Sequence, residues 1–462
     1  MKIKLQLVAL FFFQSSYFLY GQTFTDLQNG FSTLSNASTA WADYDNDGDM
    51  DFALIGFSSV SAEIGIIYHN DSNGMFSMAF SLPFPVSSGA VSWGDYDHDG
   101  DLDLLVNGQN GSGGAVTTLY RNDGSNVFTP VTTSLPGIVG ITRWLDYDGD
   151  GWLDVLMSGV GNSFSGDSTR LFHNDTNGAF SEVMINLPGY FPSDISIVDF
   201  DHDGDMDFFL TGGTITFSTF PITRLYQNNG NGVFTNVPFN FRNLSTGTSA
   251  WTDNDSDGDV DLLYNGTDST GLGITVIYRN DGAGNFTLLN ANLPGSGEPG
   301  SVAWADIDND GDLDILLGGP QTLLRNDGSN IYSDITPASF QSSVPCSFAD
   351  MDNDGDPDIL LISQSGGSFA STIYRNENIT VIKEINSEST IQVYPNPAND
   401  ILTIQLNSAT KDFTLTVFNT LGEQVFKSST SKNLDVSSFL QGMYFIQIKS
   451  NNHDYQSKFI KQ

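Results

Sequence analysis

The chain carries an acidic nonapeptide, Asp-x-Asp-x-Asp-Gly-Asp-x-Asp, that begins at Asp43, Asp95, Asp199, Asp253, Asp306 and Asp350, with a variant at Asp146. Three carboxylates on alternate residues, Asp43, Asp45 and Asp47 in the first copy, can converge on one centre if the backbone curls, and Gly48 supplies the freedom for the curl. Such a cage offers oxygen alone. It suits calcium, which takes roughly six to eight oxygens in a flexible arrangement, better than magnesium, which keeps much of its water. Transition metals are disfavoured, because the sequence shows no His or Cys converging on these loops.

An EF-hand would need a Glu at the twelfth position and a helix after it. The twelfth positions here are Leu54, Val106, Met157, Leu210, Tyr264, Leu317 and Leu361, none of which binds calcium through its side chain. Each loop runs instead into a short apolar stretch, Leu104 to Val106 or Ile315 to Leu317, that reads as a buried strand. The ninth residue (Asp51, Asp103, Asp154, Asp207, Asp261, Asp314 or Asp358) then closes the cage where that strand begins. The alternative, a set of solvated acidic turns, leaves crowded like charges without a counter-ion.

The loops sit inside longer units. Two residues ahead of each first Asp stands Trp41, Trp93, Trp144, Ile197, Trp251, Trp304 or Phe348, which marks the end of a strand and reads as core rather than as a ligand platform. Some 18 to 27 residues after the first Asp comes a second signature, such as Tyr68-His-Asn-Asp71 or Tyr120-Arg-Asn-Asp123, whose Asn, Asp and Gly suit a tight hairpin. Each unit therefore reads as strand, acidic loop, strand, variable loop, strand, hairpin, strand. The loops start 52, 51, 53, 54, 53 and 44 residues apart, the size of a propeller blade. The predicted fold is all-β, a seven-bladed β-propeller. The last unit lacks a fourth strand after Tyr374, and Thr23–Leu27 resembles the missing one, so the N-terminal segment is expected to complete the last blade and remove an open edge.

Over residues 22–378 the repeats resemble the FG-GAP and VCBS repeats of integrin-α-like β-propellers. The resemblance implies one calcium ion per loop, about seven in all, bound by the first, third, fifth and ninth side chains and the seventh carbonyl. The implied ligands are Asp43, Asp45, Asp47 and Asp51; Asp95, Asp97, Asp99 and Asp103; Asp146, Asp148, Asp150 and Asp154; Asp199, Asp201, Asp203 and Asp207; Asp253, Asp255, Asp257 and Asp261; Asp306, Asp308, Asp310 and Asp314; and Asp350, Asp352, Asp354 and Asp358. In the third loop Trp152 takes the seventh position, where it either packs or stands at the surface as a contact residue.

Residues 379–390 read as a polar linker, and 391–462 as a small Ig-like β-sandwich built from alternating segments at 402–406, 413–418, 424–426 and 442–449. This region resembles the C-terminal sorting domain of the type IX secretion system, through Tyr394-Pro-Asn-Pro397, the turn Asn419-Thr-Leu-Gly422, the Gly442-x-Tyr444 strand and Lys458-Phe-Ile-Lys461. A carbohydrate-binding sandwich is the alternative. The resemblance implies the secretion machinery as a partner and a secreted or cell-surface destination.

Residues 1–21 read as a secretory signal, with Lys2 and Lys4 before an apolar run and cleavage after Gly21, so no transmembrane segment is expected in the mature protein. The formal charge is −38, from 17 basic and 55 acidic residues, and 34 of the acidic ones lie in the loops, which argues against nucleic acid as a partner. The only cysteine, Cys346, has no intrachain partner and is expected to be buried. No nucleophile elbow, zinc signature or P-loop is present, and the five histidines read as exchangeable surface residues. Three functions remain open at this point: binding or adhesion to glycans or proteins through variable loops such as 109–115, 160–168, 214–221 and 267–273; a polysaccharide lyase or hydrolase on a propeller scaffold; and a structural surface component.

Overall fold

The computed structural model describes residues 22–377 and 392–461, apart from short stretches at 59–61, 73, 163–167, 177, 186, 215–216, 231, 283, 296–299, 320, 341–342, 364–370, 406–412, 419–423, 429–432, 440 and 451–453. The expected signal segment, the linker and the Asn419–Gly422 turn lie outside the described residues. The chain divides into two compact units that meet at residues 378 and 379. Among the described residues no helix is long and apolar enough to cross a membrane.

The first unit consists of seven four-stranded antiparallel sheets. Blade 2 is typical: Ser87–Gly94, Asp103–Gln109, Ala115–Asn122 and Phe128–Val131. In every blade the second strand opens on the ninth Asp of the loop and the third ends on the Asn of the hairpin signature, as in Asp51–Ser58 and Glu63–Asn70 of blade 1. In the sixth blade the second and third strands are short, Asp314–Leu317 and Thr322–Asn326, so the ninth Asp and the hairpin Asn stand 12 residues apart against 19 in blade 1, which accounts for most of the shortening to 44 residues.

Period-two alternation makes the second strands apolar on both faces. In Asp51–Ser58, Phe52 and Leu54 face blade 7, with Met351, Leu360 and Ile373, while Ala53 and Ile55 face blade 2, with Val91, Leu104 and Val106. The same division recurs at each junction, so seven cores lie between blades and close into a ring. A buried strand of this kind has no solvent face to carry a polar residue, which is why the sequence shows an unbroken apolar run after each loop. As expected, Phe24–Asp26 is the outer strand of blade 7 and pairs antiparallel with Thr372–Asn376. Phe24 also packs edge-on against Phe340 at 5.6 Å.

The second unit is a sandwich of a three-stranded sheet and a four-stranded sheet around Leu402, Ile404, Leu415, Val417, Ile446 and Phe459. The expected strands are present at Ile401–Gln405, Phe413–Phe418, Gln424–Ser428 and Gly442–Ser450, and Gln392–Tyr394, Asn433–Asp435 and Asp454–Lys461 add to them. The two ends of the sorting signature form one structure. Asn396 donates to the carbonyl of Lys458 at 3.2 Å and accepts from the N–H of Ile460 at 2.9 Å, and the N–H of Ala398 donates to the Ile460 carbonyl at 2.8 Å. The peptide bonds before Pro395 and Pro397 are cis.

Candidate metal centres

Each acidic loop folds on its own carboxylates. In loop 1 the Asp43 side chain accepts from the N–H groups of Asp47 and Gly48, both at 3.0 Å, and Asp47 accepts from Asp49 at 2.9 Å. Gly48 has a φ of 95°, which only a glycine adopts freely, and Asn46 at the fourth position has 59°. The ninth Asp joins loop to framework. Asp51 Oδ2 accepts from Tyr44 N–H at 3.3 Å and Oδ1 from Asn70 N–H at 2.7 Å, and the equivalent pair recurs in all seven loops, as at Asp103 and Asp358.

The predicted site residues fall into layers. First-position Asp side chains are half-buried, fifth-position ones exposed, and those at the third position lie between these extremes. The ninth-position residues are fully buried. Oxygens of Asp43, Asp45 and Asp47 come within 4.8 Å of one another, as do those of Asp95, Asp97 and Asp99, and of Asp146, Asp148 and Asp150. Burial pushes the carboxyls of Asp51, Asp103, Asp207, Asp314 and Asp358 up to about 7, and those of Asp154 and Asp261 to about 6. Third-position Asp45, Asp97, Asp201, Asp255, Asp308 and Asp352 are also raised, first by burial and also by the neighbouring fifth-position charge.

Several buried carboxylate oxygens have no hydrogen-bond partner: Asp95 Oδ1, Asp97 Oδ1, Asp148 Oδ1, Asp199 Oδ1, Asp201 Oδ1, Asp308 Oδ1 and Asp352 Oδ1. All belong to the first and third positions of loops. Orphaned, like-charged, inward-facing oxygens are costly unless a cation accepts their lone pairs. The donor set therefore fits a hard divalent ion.

Two sets of contacts tie the loops to one another across blades. The hairpin Asn of every blade but the sixth reaches back to the second-residue carbonyl of the preceding loop: Asn122 to Tyr44 at 2.9 Å, Asn174 to Tyr96 at 2.9 Å, Asn228 to Tyr147 at 2.8 Å and Asn280 to Phe200 at 2.8 Å. Asn70 of blade 1 completes the circle with Met351 at 2.7 Å, and Asn376 meets Ile307 at 2.9 Å. Fourth-position side chains reach forward. Asn353 donates to Gly48 O at 3.0 Å and Asp49 Oδ1 at 2.8 Å, Asn46 donates to Gly100 O at 3.4 Å, and His202 Nε2 lies 3.6 Å from Asp259 Oδ1. His98 stacks on Trp152 with ring centroids 4.2 Å apart, so this tryptophan bridges loops 2 and 3.

Two expectations need correction. His69 and His173 are not exchangeable surface residues, and a histidine does converge on two of the loops. His69 Nδ1 lies 3.2 Å from Asp45 Oδ2 and 3.3 Å from Asp51 Oδ1, and His173 Nδ1 lies 3.6 Å from Asp148 Oδ2 and 3.2 Å from Asp154 Oδ1. The sequence hides this because the position is Arg or Gln in the other blades. The strand-ending tryptophans pack between blades as expected, and several donate across the junction: Trp41 to Ser347 at 2.8 Å, Trp93 to the Ala40 carbonyl at 3.0 Å and Trp251 to Ser196 at 3.1 Å.

Loops and hairpins share one face of the propeller. On the opposite face, where the first strands begin, a cavity of about 660 Å³ is lined by Ser, Thr and Gly residues of all seven blades together with Arg143, Asp194 and Cys346. Arg143 Nη2 donates to Asp194 Oδ1 at 3.2 Å, and Asp194 Oδ2 accepts from the N–H and hydroxyl of Ser249 at 2.8 and 2.6 Å. Cys346 is buried there, and burial pushes its thiol up to about 11.

Comparison with known proteins agrees with the geometry. The family model described as an FG-GAP-like repeat matches residues 43–106, 146–210 and 253–317, and the model described as a secretion system C-terminal sorting domain matches 392–462. No curated protein matches the chain. Among solved structures, similarity is found to the Vibrio cholerae biofilm matrix protein Bap1, with 12% identity over 95% of this chain and 70% of that one and a TM-score of 0.35. It is also found to the extracellular domain of the hybrid two-component system BT3049 of Bacteroides thetaiotaomicron, with 12% identity over 96% of this chain and 58% of that one and a TM-score of 0.42. PorZ, a surface component of the type IX secretion system of Porphyromonas gingivalis, is similar at 10% identity over 92% of this chain and 81% of that one, with a TM-score of 0.25. The chain thus carries FG-GAP-like repeats in a β-propeller and a type IX secretion sorting domain that directs it to the cell surface or the extracellular space.

Proposed function

We propose that the protein is a calcium-stabilised propeller that works outside the cell by holding a glycan or protein ligand. The observation that carries the calcium assignment is the set of buried, unpartnered carboxylate oxygens at the first and third positions of the loops. Bound calcium would supply the counter-charge those oxygens lack. Seven divalent ions would add fourteen positive charges and bring the formal charge from −38 to about −24. Extracellular modules of this kind typically bind with Kd around 10⁻⁴ to 10⁻³ M, so external calcium would fill them.

The loop face is taken up by the metal cages and their cross-links. That leaves the opposite face, with its central cavity and its Gly- and Ser-rich connections at 109–115 and 267–273, for a ligand, while parts of 160–168 and 214–221 lie outside the described residues. What speaks for binding there, rather than for hydrolysis of a sugar, is the state of the cavity's ionisable groups. Glycoside hydrolysis canonically uses two carboxylates roughly 5 to 10 Å apart. Among the described lining residues Asp194 is the one carboxylate, and both its oxygens are engaged. The test is a thermal melt of the full chain in calcium and in EDTA, combined with ion counting and a glycan-array screen of the calcium-loaded protein. A calcium-dependent rise in Tm, about seven bound ions and retention of a glycan class would support the reading. No bound calcium would remove the metal assignment, and time-dependent cleavage of a polysaccharide would replace binding by catalysis.

A further inference from the structure

Two loops differ from the rest at one residue. Just before the hairpin Asn, blades 2, 5, 6 and 7 carry Arg121, Arg279, Arg325 and Arg375, and blade 4 carries Gln227. The guanidinium groups fold back onto the acidic residue two positions on, Arg121 to Asp123 at 2.7 Å, Arg279 to Asp281 at 2.6 Å and Arg325 to Asp327 at 2.6 Å, with Arg375 paired likewise to Glu377. Arg279 also lies 3.9 Å from Asp255, but a guanidinium has no lone pair to give a metal. His69 and His173 adopt the other pose.

In both, Nδ1 is turned into the cage between the third and ninth carboxylates, is sealed from solvent and makes no hydrogen bond. Nε2 lies 3.7 Å from Asp71 Oδ1 and 4.0 Å from Asp47 Oδ2 in blade 1, and 4.0 Å from Asp175 Oδ1 in blade 3. A cation in the cage would take the Nδ1 lone pair and leave the ring proton on Nε2, on the side of these carboxylates. Tyr44 and Tyr147 hold the rings edge-on, at 6.4 Å and 75° and at 6.1 Å and 88°. One pose, built twice with the same packing, marks a designed position.

The donor types discriminate between ions. Ligand atoms of Asp45, Asp51 and His69 lie within 4.8 Å of one another, as do those of Asp148, Asp154 and His173. Nδ1 lies 3.2 and 3.3 Å from the two carboxylates in loop 1 and 3.6 and 3.2 Å from them in loop 3, close enough for the three groups to share one ion. Imidazole with carboxylates suits Zn²⁺ and its first-row neighbours, whereas oxygen alone suits calcium. We propose that the loops of blades 1 and 3 are selective sites for a first-row transition dication, held by Asp45, Asp51 and His69 and by Asp148, Asp154 and His173, while the other five loops take calcium. This rests on reading the loops as cation cages.

The test uses the full chain, stripped with EDTA and dialysed against millimolar calcium with micromolar cobalt(II), with both metals counted and the cobalt absorption bands recorded. Wild type should retain two cobalt ions per chain, His69→Gln and His173→Gln one each, and the double variant none, with calcium in the remaining loops unchanged. Glutamine is tolerated in this setting, since blade 4 has Gln227 there, and His98, His202 and His453 stay in every variant as controls for surface binding. Calcium in all seven loops without cobalt, or cobalt that persists in the double variant, would overturn the proposal and leave the calcium reading standing. Binding of neither ion would overturn both.

Discussion

The ninth aspartate of each loop serves two ends at once. It caps the loop through Tyr44 N–H and its equivalents, and it starts the buried strand through the hairpin Asn N–H, so it is fully buried with its charge still available to a cation. Burial raises these carboxyls from an ordinary 3.8 to about 6 or 7, so the metal-free folded state binds protons more tightly than the unfolded chain. The resulting stabilisation is complete below the unfolded value and is lost as pH rises through the folded one. The Tm in EDTA should therefore rise on going from about pH 8 to about pH 5. Calcium needs the charged form, so the Tm difference between calcium and EDTA should shrink over the same window. A metal-free Tm that falls on acidification across that window contradicts this account. The aspartates were legible in the sequence because their spacing is a local property. The pose of His69 was not, since it depends on Tyr44 and on carboxylates 18 to 24 residues away, and since Arg and Gln at the same repeat position suggest free exchange.

At the scale of the element, loop and hairpin act as a unit that reaches into the neighbouring blade. Asn122 is buried, donates to the carbonyls of Tyr44 at 2.9 Å and Leu102 at 3.2 Å, and accepts from Gly124 N–H at 3.0 Å. Asn122→Ala would leave these groups buried and unpaired, at a cost of about 3 kcal/mol in chemical denaturation of the calcium-loaded protein. Asn46→Gly, which removes an exposed link between loops 1 and 2 and keeps the positive φ, should stay within about 0.5 kcal/mol. Equal effects of the two changes would show that the inter-blade clamp is not where the stability resides. The same geometry couples neighbouring sites, because Asn174 of blade 3 hangs on the Tyr96 carbonyl inside loop 2. Emptying loop 2 with the double change Asp97→Asn and Asp99→Asn should raise amide hydrogen exchange in the Ser168–Asn174 strand of the next blade. Exchange confined to blade 2 would mean that the loops act independently. The hairpins themselves follow from Asn, Asp and Gly content, whereas contacts between residues 78 to 81 apart leave no local trace.

At the scale of the molecule, the ring is closed by three residues from the far end of the chain. The Phe24–Asp26 strand lies on the outer edge of blade 7, with Thr25 opposite Arg375 and backbone bonds on either side from Glu377 N–H to Thr23 O at 2.8 Å and from Leu27 N–H to Ile373 O at 3.0 Å. The sequence announces this, because the last repeat is one strand short and the first loop is preceded by one strand too many. Without this strand, Thr372–Asn376 becomes an open edge that can pair with another chain. Thr25→Pro removes the N–H that faces the ladder and should act in the same direction as deleting residues 22–27, since proline cannot donate within a sheet. Both changes are expected to lower the Tm of the calcium-loaded protein and to produce concentration-dependent association by light scattering. The association should be stronger in calcium than in EDTA, where the uncompensated loop charge keeps chains apart. Loss of stability without association would mean that the exposed edge is already protected by its own twist. An unchanged Tm would mean that the inter-blade core of blades 7 and 1, Phe52 and Leu54 against Met351 and Leu360, closes the ring without the strand.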